Sequence, residues 1–561
     1  MFLQGEKVVN PAQKKVIDGE LFEKLVVFGA MNLKTHLKTV NDLNVFPIPD
    51  GDTGDNMFMT LNGGLSGLKS VKENSIAKKS EALANGMLLN ARGNSGVILS
   101  QLFYGLANGL ENLDTADLHT FGNALKKGVE QSYTAVMHPV EGTMLTVARE
   151  SAEYVLLHSE EYACAQEFFN EFVLEMHRSL EHTPELLEVL KQADVVDSGG
   201  AGLLYIAQGM LNAVEGKELL ESDGIVSNAK EIDFSKFNET SQMKYGYCTE
   251  LLLQLQNSKV DAKAFDIAPI VEFLESIGDS VVAFKTGTVV KIHVHTLFPY
   301  KVLEFCQRFG EYLTVKIENM TLQHNGLEQK ENVKQKKKRE HKKYGLVTVA
   351  TGKGLIDTFY ELGADVVIDG GQGNNPSIEC FLTAFDEVDA DHIFVLPNNG
   401  NIIMSAKQAS ELYVNSQIHV IETKNFGQAY SILSMLDYSA DDPEIICANM
   451  QKDMANVVTG MITKAIRSTC LDGVEIKEGD YIGFTDKTMQ VASATKIDAL
   501  KTFCDKLCLQ ERGFLIAVYG KDVTEQERKA VKEFVSKKFS ALEFYELDGG
   551  QDIYDFILIL E

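Results

Sequence analysis

The sequence predicts a multidomain protein with an all-α N-terminal domain, a small α+β middle domain and an α/β C-terminal domain. At 561 residues the chain is too long for one hydrophobic core, because cores stop growing at roughly 250–300 residues. The spacing of the apolar residues changes along the chain, and a basic stretch precedes the last domain. We therefore expect four segments: 1–213, 214–326, 327–344 and 345–561.

The first segment has apolar residues at helical spacing, as in LFEKLVVFGAMNLKTHL and FGNALKKGVEQSYTAVM. Gly and Pro gather between such runs, where helices are expected to end. In the second segment, β-rich runs such as VVAFKTG and TVVKIHVHT alternate with helical runs such as PIVEFLESIG. These patterns predict an all-helical domain followed by a small α+β domain.

The third segment contains QKENVKQKKKREHKK, which is too polar to bury a core of its own and is predicted to be a solvated linker. A basic tether for an acidic partner or a lipid headgroup is the less favoured interpretation. In the last segment the strand-like runs YGLVTVATG, ADVVIDGG and DHIFVLPNN alternate with helical runs. This alternation predicts βαβ units around a mostly parallel sheet.

The charge balance excludes some classes of partner. With 80 acidic and 53 basic residues the formal net charge is −27, which repels nucleic-acid phosphates and anionic membranes over most of the surface, so we expect no nucleic-acid partner. The eight cysteines are spread along the chain and are predicted to be reduced thiols. No run resembles a signal peptide or a membrane span, so we expect a cytoplasmic protein without an integral membrane segment.

Residues 44–57, NVFPIPDGDTGDNM, are the most informative segment. Asp50 and Asp52 offer hard oxygen ligands from a tight Gly-containing loop, as Mg²⁺ held partly by nucleotide phosphates requires. An ordinary Asx turn is the alternative. A Ca²⁺ loop of the EF-hand type is excluded, because Asp55 replaces the required Gly and Leu61 the required Glu.

Three further polar loops precede helical runs in the same segment. Residues 90–100, NARGNSGVILS, offer unpaired N–H groups at a helix N-terminus, and Arg92 could act as a positive clamp on a phosphate; a plain helix–helix turn is the alternative. The loops at 141–144 (EGTM) and 197–202 (DSGGAG) are also short, polar and Gly-bearing. Four such loops exceed what connecting helices requires.

Taken in order, NVFPIPDGDTGDNM, ARGNSGVILSQLF, EGTMLTVARE and DVVDSGGAGLL resemble the ATP-binding domain of the dihydroxyacetone kinase L-subunit family. With its two later regions, the whole chain resembles the bacterial fatty acid kinase ATP-binding subunit. The resemblance implies a barrel of about eight helices with ATP at one end. It also implies Mg²⁺ at Asp50 and Asp52, and nucleotide contacts at Asn44, Thr53, Asn56, Asn94, Ser95, Gly96, Thr143, Met144 and Asp197.

One position departs from the dihydroxyacetone kinases, which carry a third metal-binding Asp where this chain has Val45; Asn44 is the candidate replacement. The activity implied is phosphorylation of a fatty acid carboxylate, presented by a fatty-acid-binding carrier protein, to give an acyl phosphate for phospholipid synthesis. A homodimer is also implied. Two alternatives stay open: a kinase of dihydroxyacetone or a similar triose, and a non-catalytic regulator that binds nucleotide and metal.

The C-terminal segment carries polar loops after three predicted strands, at residues 369–377, 396–401 and 423–428. Ligands often bind at the carboxyl ends of strands in α/β sheets. A docking or ligand surface and ordinary loop chemistry are equally favoured here.

The run KIHVHT places His293 and His295 two residues apart in a predicted strand, so both lie on one face of a sheet. From the residues alone, a polar sheet face with a thiol nearby is favoured over a metal site. The resemblance reverses this preference, because the family's middle domain holds a metal with a Cys and an HxH pair at motifs that match Cys248, His293 and His295. One thiolate and two imidazoles suit Zn²⁺, with either a structural role or a role in activity.

Overall fold

The protein is described here by a computed structural model. It describes residues 15–43, 51–217, 247–262, 265–286, 288–319, 341–440, 442–486, 488–507, 509 and 512–561. The described residues form two compact units: one combines those up to 217 with those from 341 onward, and the other lies between 247 and 319. Across these ranges, no helix is long and apolar enough to span a bilayer.

Ten helices occupy the described residues up to 217, which confirms the predicted helical N-terminal domain. A short antiparallel strand pair accompanies them. The elements are β1 (Val16–Asp18), α1 (Gly19–Thr35), α2 (Leu37–Asp42), α3 (Thr53–Leu68), α4 (Ile76–Leu89), α5 (Gly93–Gly109), β2 (Thr115–Asp117), α6 (Leu118–Ala135), α7 (Met144–Leu157), α8 (Ala165–Leu186), α9 (Glu188–Ala193) and α10 (Ser198–Val214).

These helices pack largely in chain order, and α10 returns to pack along α1. The last contact is close because of a glycine: a Cβ on Gly209 would lie 2.3 Å from the carbonyl oxygen of Phe28. Between the helices lies an apolar core that includes the buried rings of Phe121, Phe168 and Phe169. Apolar residues at helical spacing therefore form the core that their pattern predicts.

The C-terminal part of the same unit begins with a four-stranded sheet in the order β10–β9–β7–β8. All its pairings are parallel, which confirms the predicted α/β architecture. The elements are β7 (Lys342–Ala350), α13 (Lys353–Glu361), β8 (Val366–Asp369), α14 (Ile378–Glu387), β9 (Ala390–Leu396), α15 (Ile403–Leu412), β10 (Gln417–Val420), α16 (Phe426–Ser434) and α17 (Pro443–Asn456). Because the strands are parallel, the loops that follow them meet at one edge of the sheet.

A six-stranded sheet in the order β15–β14–β11–β18–β16–β17 follows. It is antiparallel except for the pairing of β16 with β17, and a hairpin of β12 and β13 stands beside it. The elements are β11 (Val458–Lys464), β12 (Thr469–Leu471), β13 (Val474–Ile476), β14 (Tyr481–Thr485), β15 (Thr488–Ser493), α18 (Lys496–Lys506), β16 (Phe514–Tyr519), α19 (Glu525–Lys538), β17 (Glu543–Asp548) and β18 (Phe556–Leu560).

The second unit contains a four-stranded antiparallel sheet in the order β4–β5–β3–β6 and two helices. The predicted strand and helix runs of this segment fall on these elements. They are β3 (Tyr247–Leu255), α11 (Ala268–Ile277), β4 (Gly278–Thr286), β5 (Val289–Thr296), α12 (Pro299–Cys306) and β6 (Gly310–Asn319). Leu253, Leu274 and Ile292 are fully buried in its core.

Within the larger unit, the helical part and the parallel sheet share one hydrophobic core. Ala91 and Val97, at the start of α5, belong to the same buried cluster as Ile378, Phe381 and Ile402 from the C-terminal part. All five side chains are fully buried. The C-terminal part is therefore packed against the helices in the manner of a domain interior.

Candidate functional site

The N-termini of four helices line one cleft of about 290 Å³ in the larger unit. The residues at these ends include Thr53 on α3, Asn94 and Ser95 on α5, Met144 on α7 and Ser198 on α10. The first N–H groups of a helix have no partner within the helix, and its dipole is positive at this end. The N-cap side chain of α5 makes no capping hydrogen bond, so the N–H groups at this helix end favour an anion such as a phosphate.

Asp52 lines the small cleft and is the N-cap residue of α3. Its Oδ2 accepts a hydrogen bond of 2.7 Å from Nδ2 of Asn375, and the Asn56 side chain bonds to it as well. Burial raises the pKa of Asp52 to about 6, and the hydrogen bond from Asn56 opposes the rise only in part. A cation beside a buried carboxylate such as this one stabilises its ionised form.

The start of α5 depends on a left-handed residue. Gly93 has φ +58°, and a Cβ there would lie 2.7 Å from Nδ2 of Asn56 and 3.1 Å from Nδ2 of Asn375. Gly96, one turn later, leaves no room for a side chain, since a Cβ would lie 2.4 Å from Oγ1 of Thr60. These glycines let the start of α5 pack closely against α3 and Asn375.

Arg92 is the N-cap residue of α5, directly before this loop. Its backbone N–H donates to Oγ1 of Thr60 at 3.3 Å, and its guanidinium donates to the carbonyl oxygen of Asn375 at 3.3 Å. The side chain is thus engaged with the C-terminal part, and Arg92 does not belong to the lining of the small cleft. Its predicted role as a phosphate clamp stays a prediction.

Asp197 caps α10 and links it to α7. Its carboxylate accepts from the N–H of Gly200 at 2.7 Å and also from the N–H groups of Met144 and Gly199. Burial nevertheless raises the pKa of Asp197 to about 6. Thr143 caps α7 in turn, accepting from the N–H of Leu145. Both residues therefore hold two of the helix ends in place.

The structure brings most of the predicted nucleotide contacts together. The small cleft is lined by Thr53, Asn56, Asn94, Ser95, Thr143, Met144 and Asp197, together with the predicted Mg²⁺ ligand Asp52. Gly96 is buried and does not belong to this lining. Thr53 and Ser198 link α3 to α10 through a hydroxyl contact of 3.3 Å. Asn44 and Asp50 lie outside the described residues, so their predicted ligand roles are not tested.

A larger cleft of about 720 Å³ shares Asp52, Thr53 and Asn94 with the small one. Its other walls come from the C-terminal part, including the three polar loops noted in the sequence. Asn398 in one loop has φ +60° and is held by its Nδ2, which donates to Oγ1 of Thr348 and to the carbonyl oxygen of Val349, both at 2.8 Å. The sequence predicts these loops but does not predict that they lie beside Asp52.

The predicted zinc ligands lie on β3 and β5 of the second unit. The strand register pairs Cys248 with His295 and Glu250 with His293. Directly paired residues of an antiparallel sheet belong to the same face, so the register is compatible with the predicted site. The side chains of these residues lie outside the described part, and the zinc site stays a prediction. Elsewhere, among side chains that the structure does describe, no group of three His, Cys, Asp or Glu could hold a metal ion.

Comparisons with known proteins match this organisation along the chain. Three family models match: a DAK2 domain at residues 47–212, the middle domain of FakA-like fatty acid kinase proteins at 244–327, and their C-terminal domain at 345–561. Protein YloV of Bacillus subtilis (strain 168) is 37% identical over 98% of this chain and 100% of its own length. An uncharacterised protein of Staphylococcus aureus (strain USA300) is 34% identical over 97% of this chain and 99% of its own length.

Among solved structures, DegV, described as a fatty acid binding protein from Bacillus subtilis, matches with 12% identity and a TM-score of 0.30, over 39% of this chain and 99% of that one. A likeness this weak says nothing about the activity of this chain. The kinase-family domains define the class of protein, which is a phosphotransferase of the kinase type. Within that class, the chain belongs to the FakA-like fatty acid kinase family.

Proposed function

We propose that this chain transfers the γ-phosphoryl group of ATP to the carboxylate of a fatty acid, giving an acyl phosphate for phospholipid synthesis. The observation that carries the proposal is the meeting of four helix N-termini beside Asp52, inside the segment that matches the DAK2 domain. Phosphoryl transfer asks an enzyme chiefly for positioning and charge neutralisation. Helix N-termini supply both through fixed N–H donors.

In this proposal the loop at the start of α5 holds the phosphates. Asn94 and Ser95 line the small cleft, and Gly96 lets the start of α5 pack against Thr60 of α3. Thr143 and Asp197 have a structural role in the site, since they hold the ends of α7 and α10 in place. The helical barrel implied by the resemblance would present these ends together.

The residues present fit Mg²⁺. Asp52 provides a carboxylate oxygen in the lining of the cleft, Asp50 is two residues away in sequence, and Asn44 is the candidate third ligand. Mg²⁺ is usually bound by one or two carboxylates together with substrate phosphates, and there it neutralises phosphate charge. The buried carboxylate of Asp52, with its raised pKa, would in turn be stabilised by a cation.

A carboxylate acceptor explains why the site needs no general base, because a carboxylate is already ionised at neutral pH. We propose that a separate fatty-acid-binding carrier presents it, in keeping with family models that describe a fatty acid kinase built of subunits. The homodimer and the zinc site in the middle domain belong to the same proposal, and zinc would either orient the acceptor or stabilise that domain.

The direct test measures ATP consumption and acyl phosphate formation with fatty acid loaded on a carrier, with free fatty acid and with dihydroxyacetone. We expect turnover only with the loaded carrier. Asp50→Ala and Asp52→Ala should each lower kcat by several orders of magnitude while the helical fold is retained, because phosphate charge is left uncompensated. Asp55→Asn is the matched control: Asp55 lies on the same helical turn but bonds to Asn41 at 2.6 Å and lines neither cleft. Full activity of both alanine variants would refute the site.

One observation favours the second candidate, a kinase of dihydroxyacetone or a similar triose. His138 lines the small cleft and could serve as the general base that a hydroxyl acceptor needs. Among the described residues, however, no carboxylate forms an ion pair with His138 to orient it. His138→Gln distinguishes the candidates: kcat should stay near the wild-type value for a carboxylate acceptor and fall about 10²–10⁴-fold for a hydroxyl.

A further inference from the structure

Asn375 belongs to the C-terminal part, yet its side chain contacts the helical part at Asp52. It lies between β8 and α14 and is 323 residues away from Asp52 in the chain. Its side-chain Nδ2 donates to Oδ2 of Asp52 at 2.7 Å, and its backbone carbonyl oxygen accepts from the guanidinium of Arg92 at 3.3 Å. The residue is 2% exposed. Asn375 is therefore clamped between two residues for which the sequence predicts roles in phosphoryl transfer.

The backbone around Asn375 is fixed from both sides. Before it, Gly371 and Asn374 form a bridge with N–H···O distances of 3.1 Å in each direction. After it, Ser377 pairs with Arg92 in an isolated bridge, and the N–H of Ile378 donates to the carbonyl oxygen of Ala91. The position of the amide relative to Asp52 is thus set by backbone contacts and needs no ligand to create it.

The contact between the two parts has the character of a permanent core. Val97 and Ala91 are fully buried among side chains of α14 and α15, as in the interior of a domain. A lid that opens would instead form a small, polar interface that water can enter again. The C-terminal part is accordingly a fixed wall of the site.

Unpartnered polar atoms collect at this wall. Within the described part of the chain, Oδ1 of Asn375, Oδ1 of Asn94 and Nε of Arg92 are buried without a hydrogen-bond partner. Leaving a buried polar atom unpaired is costly, so such groups are normally satisfied by water or a ligand.

We propose that the C-terminal part completes the phosphoryl-transfer site in the same chain, and that Asn375 is a positioning residue that orients Asp52 for Mg²⁺. The inference rests on the proposed function for the identity of the cation and the nucleotide. Through its Nδ2, Asn375 fixes one oxygen of the Asp52 carboxylate. Partners of this kind set the orientation of a metal ligand, and their loss typically lowers metal affinity about 10–100-fold.

The test titrates Mg²⁺ into the full-length chain in the presence of a non-hydrolysable ATP analogue and follows binding by calorimetry. Asn375→Ala removes the amide, and Asn375→Leu removes it while keeping its size. Gln408→Ala is the matched control, because Gln408 accepts a hydrogen bond of 2.6 Å from Gln101 across the same boundary, whereas Asn375 bonds to Asp52. Thermal unfolding of each variant reports the loss of interface contacts separately.

We expect both Asn375 variants to lose Mg²⁺ affinity about 10–100-fold and the Gln408 variant to keep the wild-type affinity. Wild-type Mg²⁺ affinity in either folded Asn375 variant would overturn the proposal and reduce Asn375 to an interface contact. A wild-type chain that binds no Mg²⁺ with the nucleotide would instead refute the proposed function. The two failures are therefore distinguishable in one experiment.

Discussion

Gly93→Ala tests whether the start of α5 must approach the side chains of Asn56 and Asn375 as closely as it does. The substitution has two separable costs. A left-handed φ of +58° costs an L-residue about 1–2 kcal/mol. In addition, the new Cβ would lie 2.7 Å from Nδ2 of Asn56 and 3.1 Å from Nδ2 of Asn375, so both amides must move. We expect the free energy of unfolding to fall by about 1–3 kcal/mol in total.

The activity should suffer more than the stability. Both displaced amides are hydrogen-bond donors to Asp52, so moving them changes the orientation of the carboxylate that we assign to Mg²⁺. A small displacement of positioning groups can cost about 10²-fold in rate. We therefore expect kcat of Gly93→Ala to fall by more than about tenfold.

Gly216→Ala is the matched control for this prediction. Gly216 follows α10 with φ +72°, and a Cβ there would meet nothing within 4 Å. It should pay the backbone cost alone, about 1–2 kcal/mol, with kcat unchanged. Urea unfolding followed by circular dichroism and the phosphoryl-transfer assay measure the two quantities. Equal kcat values for the two variants would show that the close approach at Gly93 has no role in the reaction.

Two further predictions concern pH and metal content. Burial raises the pKa of Asp197 from 3.8 to about 6, so the folded state binds this proton more tightly than the unfolded state does. Relative to Asp197→Asn, the wild type should therefore gain stability as the pH falls from about 7 to about 4. A loss of stability over this range in paired melting curves would contradict the burial argument. Metal analysis of the purified protein should find about one zinc per chain, lost in Cys248→Ala and His293→Ala; a zinc-free chain with full activity would end that hypothesis.

The helices and their polar N-termini could be predicted from the sequence because both depend on local patterns. Apolar spacing marks the buried face of each helix, and Ser, Thr, Asp and Gly mark the ends. Asp52, Asn94, Thr143 and Asp197 are all identifiable in this way, and the structure brings them to one cleft. Their convergence on one cleft depends on how the helices pack against one another. No local pattern in a single sequence encodes that packing.

Two features escaped the sequence reasoning for different reasons. The contact of Asn375 with Asp52 joins positions 323 residues apart, and no short-range pattern reports a contact of that range. The hairpin of β12 and β13 did leave a signal: Asp472 and Gly473 both have positive φ, as a two-residue turn of this kind requires. An Asp-Gly pair between TCL and VEI could have identified that hairpin.

The shared core changes how the three matched domains should be understood. A DAK2 segment is matched as an independent stretch, at residues 47–212, yet Ala91 and Val97 within it are buried by side chains from beyond residue 345. With those side chains absent, the beginning of α5 would expose apolar surface beside the phosphate loop, and Asp52 would lose an amide that now holds it. The C-terminal part is for this reason a component of the proposed catalytic centre, whatever further partner it binds.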